Sequence, residues 1–154
     1  FTPLSASLTS GELADLVATF ENRTSDVING CGGQVVKHLG DEVMYMAVDP
    51  ATACQIALEL VDDFAAQGVQ PHAGLTFGDA VTRRGDYYGP HVNLAARLVH
   101  HAVPGEVLVN QDLVDAMAGG ATYDFTPAGR RMVRGFGDPV KVWSLGRQPG
   151  QPSP

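Results

Sequence analysis

An amide and a guanidinium lie one helical turn apart in the middle of the chain, within the stretch Gly85–Arg97. Gly89 and Pro90 can open a helix there, and Asn93 and Arg97 then share one helical face at i and i+4. An arginine offers a rigid fork of donors that matches phosphate oxygens, and an asparagine can orient a sugar hydroxyl without adding charge. The pair could therefore hold a phosphorylated sugar. An ordinary surface helix with a solvated arginine would show the same spacing, so the rest of the chain must decide.

Apolar periodicity predicts the elements that would position this helix. Leu13, Leu16 and Phe20 recur at helical spacing after an N-cap within Leu8-Thr9-Ser10, which predicts a first helix that the glycine-rich segment 29–33 ends. A hairpin is expected next, with strands at 34–39 and 42–48 and a turn at Gly40-Asp41, followed by a helix from Pro50 to near Gly68. A strand at 72–81 and a loop at 83–86 then lead into the helix at 90–100. The chain is expected to end with a strand at 106–110, a helix at 111–117 closed by 119–120, and a terminal hairpin within 123–147.

This alternation of helices and strands predicts an α+β fold with the helices packed on one face of a mostly antiparallel sheet. We expect a first strand before Phe1 that is missing from this chain. With 154 residues, 44% of them hydrophobic, the chain suits one domain at 1–147 and a flexible tail at 148–154. No stretch is apolar enough to cross a bilayer, so we expect no membrane contact from this domain. Cys31 and Cys54 lack the density of a secreted disulfide scaffold, which favours a domain that faces the cytosol. A net charge of -7 argues against nucleic acid as a partner.

Three short motifs in this order connect the helix to a known family. Lys37-His38-Leu39-Gly40-Asp41 is followed by Gly85-Asp86-Tyr87-Tyr88-Gly89 and by Val92-Asn93-Leu94-Ala95-Ala96-Arg97. Each is a weak pattern alone, but together and on the expected elements they are specific. Over nearly the whole chain the sequence resembles the catalytic domain of class III nucleotidyl cyclases, in particular bacterial adenylyl cyclases. The resemblance implies a ferredoxin-like βαββαβ core, assembled head to tail as a homodimer with the active sites at the interface.

The resemblance assigns three residues to the adenine edge and the metal ions. Lys37 would donate to a ring nitrogen and Asp86 would accept from the exocyclic amine, which is adenine's order of acceptor and donor; guanine would require the reverse. Asp41, at the expected hairpin tip, would bind Mg²⁺ or Mn²⁺, of which the reaction would use two ions. Each residue also has an ordinary structural explanation, because a lysine stem can cover apolar surface and an aspartate often forms a turn.

The implied reaction converts ATP to 3′,5′-cyclic AMP and pyrophosphate. Asn93 and Arg97 are the implied catalytic residues, at the ribose and at the charge that builds up on the α-phosphate. Arg134 occupies the position where the family places a basic residue on the β- and γ-phosphates. Arg83 or Arg84 could assist, although an arginine near a turn is most often solvated.

The chain departs from the family pattern at two places. The family begins the domain with a strand that ends in Asp-x-x-Gly-Phe-Thr, whereas this chain starts at Phe1-Thr2, so the first metal aspartate is expected upstream or absent. Glu42 follows Asp41 where a small residue is common. Three alternatives to an adenylyl cyclase stay open: a catalytically silent nucleotide-binding regulatory module, a structural pairing domain, and a guanylyl cyclase, which the Lys37 and Asp86 types disfavour.

Overall fold

The computed structural model describes residues 7–118 and 122–148, which form four helices and eight strands. The helices are α1 (Ser10–Gly30), α2 (Pro50–Ala65), α3 (Pro90–His101) and α4 (Gln111–Ala116). The strands are β1 (Gln34–Leu39), β2 (Glu42–Met46), β3 (Ala73–Leu75), β4 (Val81–Arg83), β5 (Asp86–Tyr88), β6 (Val107–Asn110), β7 (Tyr123–Arg131) and β8 (Val140–Arg147). Three predictions lie outside the described residues: the helix stop at 119–120, the tail from 149 onward, and a strand before Phe1.

The main sheet has four strands in the order β3-β6-β8-β7. Strand β6 runs parallel to β3 and antiparallel to β8, and β7 pairs antiparallel with β8. Two antiparallel hairpins, β1–β2 and β4–β5, form separate two-stranded sheets. Antiparallel pairs therefore predominate among the described strands, and the predicted α+β class is confirmed.

The helices pack on both faces of the main sheet, so the expectation of helices on one face was wrong. Alternate residues of β6 point to opposite sides: Val107 and Val109 join a core cluster with α2 and α4, whereas Leu108 joins a cluster with α3. All four residues of β6 are buried. A central strand covered on both faces reads as a continuous apolar run, as residues 107–109 of β6 do.

The predicted strand at 72–81 is also wrong in part, because it divides into β3 and β4. Between them, the ring of His91 packs so closely on Gly78 that an added Cβ would overlap it. The segment at 83–86, expected as a loop, instead closes the β4–β5 hairpin through Arg84 and Gly85, both with positive φ (52° and 78°). Two central residues with positive φ are typical of the tight turns that join hairpin strands.

Helices α1 and α2 pack beside the β1–β2 hairpin. Helix α1 begins at an N-cap, as the sequence predicts, and Thr9 and Glu12 form a capping box there. Phe20 and Ile28 of α1 pack with Ile56 and Phe64 of α2 in a third core cluster, against one side of the hairpin. Within the described ranges, no helix combines the length and apolarity that a bilayer span requires.

Candidate active site

Lys37 and Asp86 form an ion pair, although 49 residues separate them in the sequence. Lys37 Nζ lies 2.8 Å from Asp86 Oδ2, and the N–H of Tyr87 donates to Oδ1 at 2.8 Å. The hydrogen bond from Lys37, and after it that from the Tyr87 amide, lowers the pKa of Asp86 and keeps it a carboxylate. The two side chains are 39% and 25% exposed. A cationic donor and an anionic acceptor thus stand side by side within reach of a ligand.

Close packing on β3 positions α3. Leu94 and Leu98 bury the inner side of the helix, with 7% and 0% of their surface exposed. A Cβ on Gly74 would lie only 2.8 Å from the Ala95 carbonyl oxygen, so the helix backbone rests directly on the strand. Asn93, on the outer side, is exposed.

An open cleft of ≈ 590 Å³ runs along the outer side of α3. Its lining consists of Pro90, Asn93, Ala96, Arg97 and His100 from the helix, and of residues 134–136 from the loop between β7 and β8. In that loop Gly135 has a φ of 90°, and the N–H of Phe136 donates to the Val133 carbonyl at 3.0 Å. This turn brings Arg134 to the same cleft as Arg97.

The side chains that line the cleft have the chemistry to bind an anion. Asn93, Arg97, His100 and Arg134 make no side-chain hydrogen bond or ion pair within residues 7–118 and 122–148. None of the described residues that line the cleft is acidic, although the chain carries a net charge of -7. The arginines and the amide are therefore available to phosphate oxygens, which planar guanidinium groups bind well.

Asp41 lies at the exposed tip of the β1–β2 hairpin, between Gly40 and Glu42, and outside the cleft lining. Gly40 has a φ of 62° at this turn. No group of three or more histidine, cysteine, aspartate or glutamate side chains within the described ranges could hold a metal ion by itself. An exposed carboxylate still fits Mg²⁺, which usually takes one or two protein carboxylates together with substrate phosphates and water. Asp41 is thus an exposed carboxylate that could contribute one oxygen ligand to such an ion.

The structure places five of the predicted site residues in two groups and leaves Asp41 outside both. Lys37 meets Asp86, and the cleft brings together Asn93, Arg97 and Arg134. Asp41 lies at the tip of the hairpin that carries Lys37.

For two arginines and one histidine, the cleft lining differs from what the sequence predicts. Arg83 and Arg84 are exposed in the β4–β5 hairpin and do not line the cleft. His100 does line the cleft and was not among the residues predicted from the sequence. A signal was present, because His100 follows Arg97 by three residues and Asn93 by seven, on the same helical face.

The chain is similar to known cyclases in sequence and in fold. The profile of the adenylate and guanylate cyclase catalytic domain matches residues 1–146. An uncharacterised protein of Mycobacterium tuberculosis is 36% identical over 151 residues, which are 97% of this chain and 39% of that protein. An adenylate cyclase of Glutamicibacter nicotianae is 39% identical over 140 residues, or 90% of this chain and 35% of that enzyme. The chain thus spans less than half the length of these curated relatives.

Among solved structures, the adenylyl cyclase CyaB from P. aeruginosa has the same fold, with a TM-score of 0.78 over 96% of this chain and 88% of that one, at 23% identity. The profile match over almost the whole chain and these relatives confirm the resemblance that the three motifs carried. The chain belongs to the family of class III adenylate and guanylate cyclase catalytic domains.

Proposed function

We propose that this domain is an adenylyl cyclase that converts ATP to 3′,5′-cyclic AMP and pyrophosphate. The observation that carries the choice of ATP is the ion pair of Lys37 and Asp86, with 2.8 Å between its polar atoms. Adenine presents a ring-nitrogen acceptor beside an amine donor, and this pair offers the complementary donor and acceptor. The name of the Glutamicibacter relative supports the same substrate.

The order of the side chains along the chain suggests how the nucleotide would lie. Strand β5, which begins with Asp86, leads through Gly89 directly into α3. With the base at Asp86, the ribose would reach Asn93, and the α-phosphate would reach Arg97 about 6 Å further along the helix axis. Arg134, across the cleft, would contact the β- and γ-phosphates.

In the proposed reaction the ribose 3′-oxygen attacks the α-phosphorus. The bond from that phosphorus to the oxygen of the β-phosphate breaks, pyrophosphate leaves, and the 3′-hydroxyl proton passes to water. Arg97 would stabilise the negative charge that grows on the α-phosphate oxygens, and Asn93 would orient the ribose for attack. Two bound Mg²⁺ or Mn²⁺ ions would supply Lewis acidity toward the reacting oxygens, and Asp41 would contribute one of the carboxylates that hold them.

The position of Asp41 supports a head-to-tail homodimer. The cleft with Asn93 and Arg97 contains no carboxylate among its described lining residues, whereas Asp41 lies on a separate hairpin. A second copy that placed its hairpin tip over this cleft would bring a metal-binding carboxylate to the phosphates. Each active site would then draw on both chains.

Initial rates with ATP and with GTP, each in Mg²⁺ and in Mn²⁺, test the proposal. We expect cyclic AMP from ATP, and a Lys37→Ala variant that loses much of its preference for ATP over GTP. Lys141→Ala is the matched control, because Lys141 is the other lysine of the chain and lies over the Trp143 ring, 4.9 Å from its centroid.

Three outcomes would contradict the proposal. Faster turnover of GTP would identify a guanylyl cyclase. Binding of a non-cyclisable ATP analogue without any product from ATP would identify a silent nucleotide-binding module. Unchanged ATP affinity in both Lys37→Ala and Arg97→Ala would favour a structural pairing domain.

A further inference from the structure

The cleft contains one polar side chain that the proposed reaction does not use. His100 stands on α3 three residues after Arg97 and lines the cleft with Arg97 and Arg134. Residues three and four apart are neighbours on a helix surface, so Asn93, Arg97 and His100 form one row. The row ends at His100, about 10 Å along the helix axis from Asn93.

His100 differs from His72 and His91 in having no side-chain hydrogen bond or ion pair in the described part of the chain. The ring of His72 hydrogen-bonds the Val99 carbonyl at 2.6 Å, and the ring of His91 faces Asp112 at 3.3 Å. His100 is exposed and has no side-chain partner in the described part of the chain. Its ring nitrogens can therefore meet a ligand without breaking a bond within the protein.

The charges around His100 select the chemistry of that ligand. The ionisable groups that line the cleft with it are Arg97, from its own helix, and Arg134, from the loop between β7 and β8. A ligand group between these side chains is favoured when it is anionic and rich in acceptor oxygens, because arginine is always charged and has only donors. Phosphate is such a group.

The direction of the row decides which phosphate this is. The pair of Lys37 and Asp86 marks the base end of the site, since β5 leads from Asp86 into the start of α3. Arg97 would serve the α-phosphate, and His100 lies beyond it, further from the base. We propose that His100 binds the pyrophosphate part of the nucleotide, which is also the leaving group, by donating an imidazole N–H to a phosphate oxygen. This inference rests on the proposed function.

Binding of inorganic pyrophosphate, measured by titration calorimetry on the whole chain, tests the role without any turnover. We expect His100→Ala to weaken binding about tenfold, which corresponds to about 1.4 kcal/mol. His100→Lys, which keeps a donor and a positive charge, should restore most of the affinity. His101→Ala is the matched control, because His101 neighbours His100 on α3 and does not line the cleft; we expect it to change the affinity less than about twofold.

Each outcome supports or overturns the inference. Affinity that stays unchanged in His100→Ala, or falls equally in His101→Ala, overturns it. An equal loss in His100→Lys also overturns it, because any disturbance of the helix surface would then explain the effect. Melting curves of each variant establish that the loss is not due to unfolding.

Cyclic AMP formation by the unsubstituted chain is measured in parallel. If pyrophosphate binding depends on His100 but no product forms, the proposed function fails while the phosphate contact stands. If product forms and the affinity for pyrophosphate does not depend on His100, only the inference about His100 fails.

Discussion

Replacing Gly74 by alanine should displace α3 from the sheet, and with it Asn93 and Arg97. The added Cβ would lie 2.8 Å from the Ala95 carbonyl oxygen and at the same distance from Leu98 Cβ. Both belong to the helix itself rather than to the end of a flexible side chain, so no rotamer change relieves the contact. The helix must move as a unit.

The size of the effect follows from these distances. Ordinary contact begins at 3.4 Å, so an approach of 2.8 Å requires α3 to shift by about 0.6 Å, the difference of the two. Overpacking of this kind typically costs about 1–3 kcal/mol of unfolding free energy. For a chain of this size that lowers the melting temperature by about 2–12 °C. A displacement of catalytic groups by this amount should also lower turnover, on the order of tenfold.

Thermal unfolding followed by circular dichroism, together with cyclic AMP formation, measures both effects. Gly146→Ala is the matched control: Gly146 lies in β8 of the same sheet, and an added Cβ there would meet nothing within 4 Å. We expect that control to change stability by less than about 1 kcal/mol, because only the freedom of the unfolded chain changes. A Gly74→Ala variant that melts at the temperature of Gly146→Ala would refute the close packing of α3 on β3.

Three further perturbations test other parts of the structure. Arg97→Ala should lower turnover by about 10²–10³. Its melting temperature should not change, since Arg97 is exposed and has no intramolecular partner in the described residues. Arg130, an exposed arginine of β7 outside the cleft, is the control, and an equal loss of turnover in Arg130→Ala would count against this role of Arg97. Arg84→Asn should raise the free energy of urea unfolding by about 0.5–1 kcal/mol, because Arg84 has a φ of 52° and asparagine tolerates that region better; a lower value would contradict the strain argument. Lys37→Met should remove the contact that lowers the pKa of Asp86. The wild type should then be more stable than this variant above the ordinary aspartate pKa of about 3.9, with the difference vanishing as the pH falls through the lower pKa of the folded state. Urea unfolding at a series of pH values measures the difference, and one that persists at low pH would argue against the ion pair as its cause.

Much of the local structure could be predicted from the sequence. Short-range patterns predict an N-cap within 8–10 and a hairpin turn at 40–41, and the structure has both. The pattern failed at 72–81, where apolar residues suggested one strand and contact of the His91 ring with Gly78 accompanies a break into two. That contact joins residues far apart in the sequence, so no local window contains it.

The sequence by itself determined the family, the class of fold and the residue types that could do chemistry. It also placed Asn93 and Arg97 on one helical face, because a helix repeats every 3.6 residues wherever it packs. The resemblance implied that Lys37 and Asp86 serve one site, but only the tertiary structure showed that they contact each other and that Arg134 and His100 line the cleft beside Arg97. The physical reason is that spacing defines the faces of an element, whereas the neighbour of each face depends on long-range packing.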